Sequence, residues 1–293
     1  MLRVTDQSMS LAAQRALGDR QSRLASAQAT ATSGARISRP SDDPVGTGEA
    51  LRVRAELAAR GQYQRNIDDG TGWLSTIDSA LAGATGLLQQ ARDAAVQGGN
   101  GSLTQAARDA LAAVVDGLRH DLVGAANTRY LGRSVFAGTS DAPSAFTDGT
   151  PPTYNGASGT VTRRIGPDET VAVDTDGRTA FGSGSMSAFS VLDAIAADLR
   201  AGVDPTPRLA ALDGAMTTVV AARSDVGSRL TQLQRAAQAT TEATTSLTSR
   251  RTALEDVDLG QAVLDLQLQQ TAYQAALAVT AKVLQPSLTE FLR

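Results

Sequence analysis

Two adjacent carboxylates are the first residues in this chain that could do chemistry. Asp42 and Asp43 stand side by side before Pro44, and a carboxylate pair shares general acid and base work when a pocket drives the two pKa values apart. Sequence neighbours ahead of a proline more often cap a helix or turn the chain, which is the expectation here. Asp174, Asp176 and Gly177 look like part of a calcium loop, but the closing Glu and the full spacing are missing, so a plain hairpin turn is expected. Gly98-Gly99-Asn100-Gly101 lacks the lysine and Ser/Thr of a phosphate cradle and reads as a connection between helices. His120, beside Asp121, is the only histidine, and there is no cysteine. Thiol nucleophiles, disulfides and His/Cys metal clusters are therefore excluded. Catalytic residues, cofactor and metal are all expected to be none.

The elements that would position such residues are helical. Hydrophobic residues make up 42% of the 293-residue chain while aromatics make up only 3%, so the apolar content is Ala, Leu and Val, which fill thin helical seams better than thick cores. The net charge of -3 argues against a nucleic-acid partner. Only Lys282 among the 27 basic residues is lysine, a bias that fits codon usage as well as structure. The opening MLRVTDQSMSLAAQ has neither the apolar run nor the small-residue cleavage site of a secretory leader. Nor does any segment reach the length of a membrane span.

Apolar spacing organises the chain. Ala13, Leu17, Leu24, Ala27 and Ala31 follow a heptad that Arg20 interrupts, and Pro40 and Pro44 close that segment. Leu74, Ile77, Leu81, Ala84, Leu88, Ala91 and Ala95 step by three and four, within a helix expected to run from about Gly48–Ala50 to Val96. Ala107, Leu111, Val114, Leu118, Leu122 and Ala125 predict a returning helix packed antiparallel to it. From Phe136 to Gly182 the helical spacing stops. Prolines cluster there, and Asn155-Gly156 and Asp176-Gly177 flank the β-prone runs Thr160–Thr162 and Thr170–Val173. Helical spacing resumes at Ala188, breaks at Pro205 and Pro207, and then holds a heptad frame from Leu209 to Leu254. Finally, Leu259, Val263, Leu266, Gln270, Tyr273, Leu277, Thr280 and Leu284 form a stripe that needs a partner, ended by Pro286. Residues 1–40 carry six Arg against two Asp, and residues 253–293 carry two basic against five acidic residues, so the two ends are expected to pair with each other.

The fold class expected is mainly α: an elongated antiparallel helical bundle with terminal coiled-coil helices and a small β-rich insert. Residues 1–40 and 253–293 would form the terminal coiled-coil domain, 41–135 and 188–252 the helical bundle, and 136–187 the insert.

Several motifs resemble those of the flagellins and their hook-associated relatives. Ser33-Gly34-Ala35-Arg36-Ile37-Ser38 and Ser41-Asp42-Asp43-Pro44 are similar to the family's N-terminal signature. Arg65-Asn66-Ile67, Gln89–Gln97, Asn127 and Asp256-Val257-Asp258-Leu259 also look like family positions. Val135-Phe136-Ala137-Gly138-Thr139 and the ending Gln285–Arg293 are more similar to junction members than to filament subunits.

The resemblance implies a structural protein outside the cell, an adaptor at the hook-filament junction of the bacterial flagellum. Flagellin itself, or an intracellular coiled-coil scaffold, are the alternatives. The partners it implies are the first hook-associated protein, flagellin, an export chaperone and further copies in a ring, with no nucleic acid and no membrane. It further implies export through the flagellar type III channel without a cleaved leader, and terminal helices that order only on assembly. The residues expected at the assembly interface are Leu17, Leu24, Leu259, Val263, Leu266, Tyr273, Leu277 and Leu284. The family motif is carried by Ser33, Gly34, Arg36, Ile37, Asp42, Asp43, Pro44 and Asn66.

Overall fold

The structure, a computed structural model, describes residues 2–284, and the side chains of residues 8–282. In chain order its elements are α1 (Leu2–Ser33), α2 (Pro44–Gly98), α3 (Gln105–Ala126), β1 (Arg129–Tyr130), β2 (Arg133–Ser134), β3 (Phe146–Thr147), β4 (Thr153–Tyr154), β5 (Thr162–Arg164), β6 (Thr170–Ala172), α4 (Gly177–Phe181), α5 (Ala188–Arg200), α6 (Leu209–Glu255) and α7 (Leu259–Leu284). The mainly helical class is as expected. The chain divides into unit 1, Met1–Ala59 with Ala243–Arg293, and unit 2, Arg60–Glu242.

Unit 2 is built on two antiparallel stripes. Leu74, Ile77, Leu81, Ala84, Leu88, Ala91 and Ala95 of α2 are fully closed off from water, as the spacing predicts. Across from them α6 buries Leu212, Ala215, Val219, Ala222, Val226 and Leu233, again in steps of three, four and seven. Asp78–Arg223 at 2.8 Å and Arg92–Asp213 at 3.0 Å join the two helices. Exposed pairs of this kind are worth about 0–1 kcal/mol, so they record the antiparallel register more than they hold it.

The returning helix α3 has α5 as its close neighbour, rather than α2 as expected. Gln105 donates to the carbonyls of Leu199 and Arg200, and Arg119 lies 2.6 Å from Asp193, which sets the two antiparallel. The face of α3 is also turned: Ala112, Val115, Leu118, Leu122 and Ala126 are buried, while Val114 is exposed.

The insert is not held by its sheets, which are three separate two-stranded hairpins. Its Phe146 and Phe181 pack on Phe189 of α5 and on each other, and Phe136 packs on Phe181, at centroid distances of 5.1–6.1 Å. Asn127, just past α3, clamps Phe146 by donating to its carbonyl and accepting from its N–H, both at 2.8 Å. Because this aromatic core is continuous with the helical one, residues 136–187 group with unit 2 rather than standing apart.

Asp176-Gly177 is not a hairpin turn either. The Asp176 side chain accepts from Arg178 N–H and caps α4, a competing use of the same dipeptide. Likewise Asn155-Gly156 follows β4 instead of joining two strands.

In unit 1, α1 packs on α7. On α1 the positions drawn out of water are Ala13, Leu17, Leu24, Ala27 and Ala31, with Arg20 exposed, as the spacing predicts. On α7 they are Ala262, Leu266, Gln269, Ala272, Tyr273, Ala276 and Thr280.

Candidate functional site

The family-motif residues converge where four helix ends meet. Gly34 adopts φ +66° and ends α1, a conformation that favours glycine. Its N–H donates to the Thr30 carbonyl at 3.0 Å, and its own carbonyl accepts from Val257 N–H at 3.0 Å. Arg36 N–H donates to the Glu255 carbonyl at 2.7 Å, so Ala35 and Asp256 form an antiparallel bridge. Ser33 Oγ accepts from Ala35 N–H.

The Arg36 guanidinium donates twice to the Leu254 carbonyl, at 2.9 and 2.7 Å. That places a fixed positive charge on the orphan carbonyls at the C-terminus of α6, where the helix dipole is negative. The same guanidinium lies 3.9 Å from Asp43.

Asp43 in turn caps α2, its carboxylate accepting from Gly46 N–H at 2.8 Å, with Pro44 at the first helical position. A Cβ on Gly46 would collide with the Asp43 carboxylate and come within 3.0 Å of Ile37. Asp42 accepts from Arg39 N–H at 2.8 Å. Asp43 is therefore a helix cap and Asp42 closes a turn, the two uses expected for this pair.

Seven of the eight motif residues thus form one clasp. Asn66 does not join it: in unit 2 its side-chain amide donates to the Arg164 carbonyl at 2.7 Å and ties α2 to β5. Sequence reasoning missed Arg54, which lies 2.7 Å from Glu255. It also gave Asp258 no role, although the side chain caps α7 by accepting from Gly260 and Gln261 N–H. An Asp two residues before a glycine at the head of an apolar run was the available signal.

The stripe expected on α7 is turned by about 50° at 3.6 residues per turn. Leu266 and Tyr273 face α1, whereas Leu259, Val263 and Leu277 are exposed; Leu284 falls outside the described side chains. The small side chains of Ala262 and Ala276 let the two backbones approach, which displaces the leucines to the flanks. A second set, Leu264, Leu268 and Val279, is exposed about 160° away around the helix. From Leu266 to Ala281 there is no charged residue. A helix apolar on more than one side can take more than one neighbour, and in this chain α1 covers one side. Leu17 and Leu24 of α1 sit in the seam itself, half-buried.

Among the described residues no group of His, Asp and Glu is arranged to hold a metal ion, and no helix is long and apolar enough to cross a membrane.

Comparison with known proteins agrees with this geometry at both ends of the chain. Residues 4–141 match the model of the bacterial flagellin N-terminal helical region, and residues 209–292 that of the C-terminal helical region. The chain belongs to the flagellin family. Among its curated flagellin-family relatives is flagellar hook-associated protein 3 of Escherichia coli (strain K12), 28% identical over 84% of this chain and 85% of that protein. Another is the flagellar filament 30.7 kDa core protein of Treponema maltophilum, 24% identical over 86% of this chain and 85% of that one. A solved structure assigned to a flagellar hook-associated protein of Vibrio parahaemolyticus has the same fold. Its TM-score is 0.68 at 23% identity, over 73% of this chain and all of that one. As a flagellin-family member the chain is a structural component of the bacterial flagellum.

Proposed function

We propose that this chain is the adaptor of the hook-filament junction, seated outside the cell between the first hook-associated protein and flagellin. The observation that carries the reading is the match to a hook-associated protein 3 across most of both chains. The uncovered flanks of α7 support it, because a junction subunit needs neighbours on more than one side. Leu259, Val263 and Leu277, with Leu264, Leu268 and Val279, are the contact surface, and copies of the chain form a ring there. Leu17, Leu24, Leu266 and Tyr273 hold the α1–α7 pair that presents it. The chain travels unfolded through the flagellar export channel, its α7 face held by an export chaperone.

Full-length similarity to a filament core protein favours a second reading, the filament subunit. A deletion strain separates the two. Hooks without filaments and free flagellin in the medium are expected for an adaptor, and purified chain should stay unpolymerised under salt conditions that grow flagellin filaments. Long filaments grown from this chain alone would select the second reading.

A further inference from the structure

The β1–β2 hairpin turns on Leu131-Gly132. Leu131 has φ +47°, and among the described residues it is the only non-glycine residue with positive φ. Two-residue hairpin turns of this kind take Asn, Asp or Gly at that position, because a branched apolar side chain there crowds its own backbone. Leu131 is also 80% exposed. A residue that is unfavourable both to the turn and to water stands at the tip of a small, well-braced platform. Beneath it Tyr130 packs on Trp73 with centroids 5.7 Å apart, and Arg133 lies over the same indole at 5.9 Å.

On the same unit a groove of 620 Å³ runs between the insert and α6. It is lined by the small residues Ala172, Ala221 and Ala222 and by Asp174, Asp176 and Asp225. Two of these acids are already paired, Asp176 with Arg178 and Asp225 with Arg229. The Asp174 side chain, 6% exposed, is held by backbone N–H groups and its own carbonyl accepts from Arg229, and Asp174, Asp176 and Asp225 together outnumber Arg229 in the groove lining. Thr175 is 8% exposed and also lines the groove, and its hydroxyl is buried without a hydrogen-bond partner. The hairpin carries the opposite excess, Arg129 and Arg133 against Asp141 at 3.6 Å from Arg133.

Knob and groove also stand at one height along the bundle. Tyr130 packs against Gly72, where an added Cβ would collide with its ring. In the antiparallel register that pairs Asp78 with Arg223 and brings Gly70 against Leu233, the level of Gly72 on α2 is that of Arg229 on α6, which lines the groove.

We infer that Leu131 of one copy of this chain inserts into the groove of the next copy, between the insert and α6. A knob and a hole on different surfaces make a heterologous contact, which builds a ring where the rotation closes and a helical array where it does not. The inference rests on the ring reading above and names the contact that would build it.

The absence of cysteine allows a test without background. Leu131→Cys and Ala221→Cys, Ala221 being exposed and at the groove, are introduced together into the full chain. After mild oxidation of isolated flagella, a ladder of crosslinked copies is expected from the double variant and none from either single variant. Flagella that contain the double variant but give no crosslink, or that link residue 131 to another protein, overturn the contact. If the chain is absent from flagella, the adaptor reading fails. The contact is then decided on concentrated purified protein, where crosslinked dimers support it and their absence rejects it. Should the double variant fail to fold or be exported, Leu131→Asn decides. That change relieves the turn, so the melting temperature rises, yet it should compete several-fold worse than the original chain for a place in flagella. Equal competition overturns the inference, because a merely structural role for Leu131 moves only the melting temperature.

Discussion

In unit 2 the stripe from Leu74 to Ala95 is closed off from water, whereas in unit 1 the α1–α7 pair only half-buries Leu17, Leu24, Leu266 and Tyr273 and leaves the flanking leucines bare. Both regions are written in steps of three and four. The difference is the number of neighbours. α2 and α6 share a core with α3, α5 and the aromatic residues of the insert, while α7 packs chiefly on α1 among the described residues. Full burial of a leucine side chain is worth about 1.5–3 kcal/mol, so one region holds its stability within the chain and the other keeps part of it for contact with other molecules.

The sharpest way to break this comparison is to truncate the same side chain in both regions. Leu81→Ala in unit 2 should cost about 2–5 kcal/mol in denaturant unfolding. Leu268→Ala on the bare flank should change stability by less than about 0.5 kcal/mol. Equal losses would mean that the flank is buried by its own chain.

A charge sharpens the distinction between seam and flank. Leu266→Asp should abolish amide-exchange protection in α1 and α7, since an unpaired charge in the seam costs several kcal/mol, on the order of 3. Leu268→Asp should leave that protection intact and still prevent entry into flagella. Normal incorporation of Leu268→Asp would place the flank on solvent in the assembled state.

The clasp gives a smaller and more local effect. Arg36→Ala removes two charge-assisted bonds from the end of α6, an expected loss of about 1–2 kcal/mol given its exposure. Faster amide exchange should be confined to unit 1. Arg36→Lys keeps the charge without the fork and should recover part of the loss.

The smallest effect is expected within unit 2, at Asp174. Burial pushes its carboxyl above the usual carboxylate range, against the pull of backbone N–H groups and Arg229. A carboxyl raised in the folded state contributes stability at acid pH that is lost as pH rises through its folded value. Asp174→Asn, neutral at every pH, should therefore be more stable than the original chain at neutral pH, with the gain vanishing towards acid. A pH-independent difference in melting temperature would assign the effect to packing instead.

Periodicity made the α2 stripe of unit 2 legible, though not the buried face of α3. The α2 stripe is buried residue for residue, because an alternating three-four step over seven positions leaves one helical face that can be covered. The same rule misplaced α7 by about 50°. With apolar residues on more than one side, the pattern does not say which side faces the partner in the same chain, and the small side chains of Ala262 and Ala276 decide it. The clasp was legible as a motif but not as a mechanism. Arg36 and Leu254 are 218 positions apart, and nothing local announces that a guanidinium will cap a helix so far along the chain. In the insert, the strongest turn dipeptides were claimed by a helix cap and a loop. The long-range aromatic packing of Phe136, Phe146, Phe181 and Phe189 does what the short strands could not.

The clasp also imposes an order in time. A polypeptide delivered amino end first, whether from a ribosome or through a narrow pore, presents Gly34 and Arg36 long before Leu254, Glu255 and Val257 arrive to meet them. Residues 60–242 hold every partner needed for their own core and complete it on emergence, while the leading segment waits for the last fifth of the molecule. Closing a loop of more than two hundred residues is slow but only modestly more costly than closing a short one. The segment that leaves first is thus the last to find its place, and a chain cut short by premature termination has no carbonyls for Arg36 to cap.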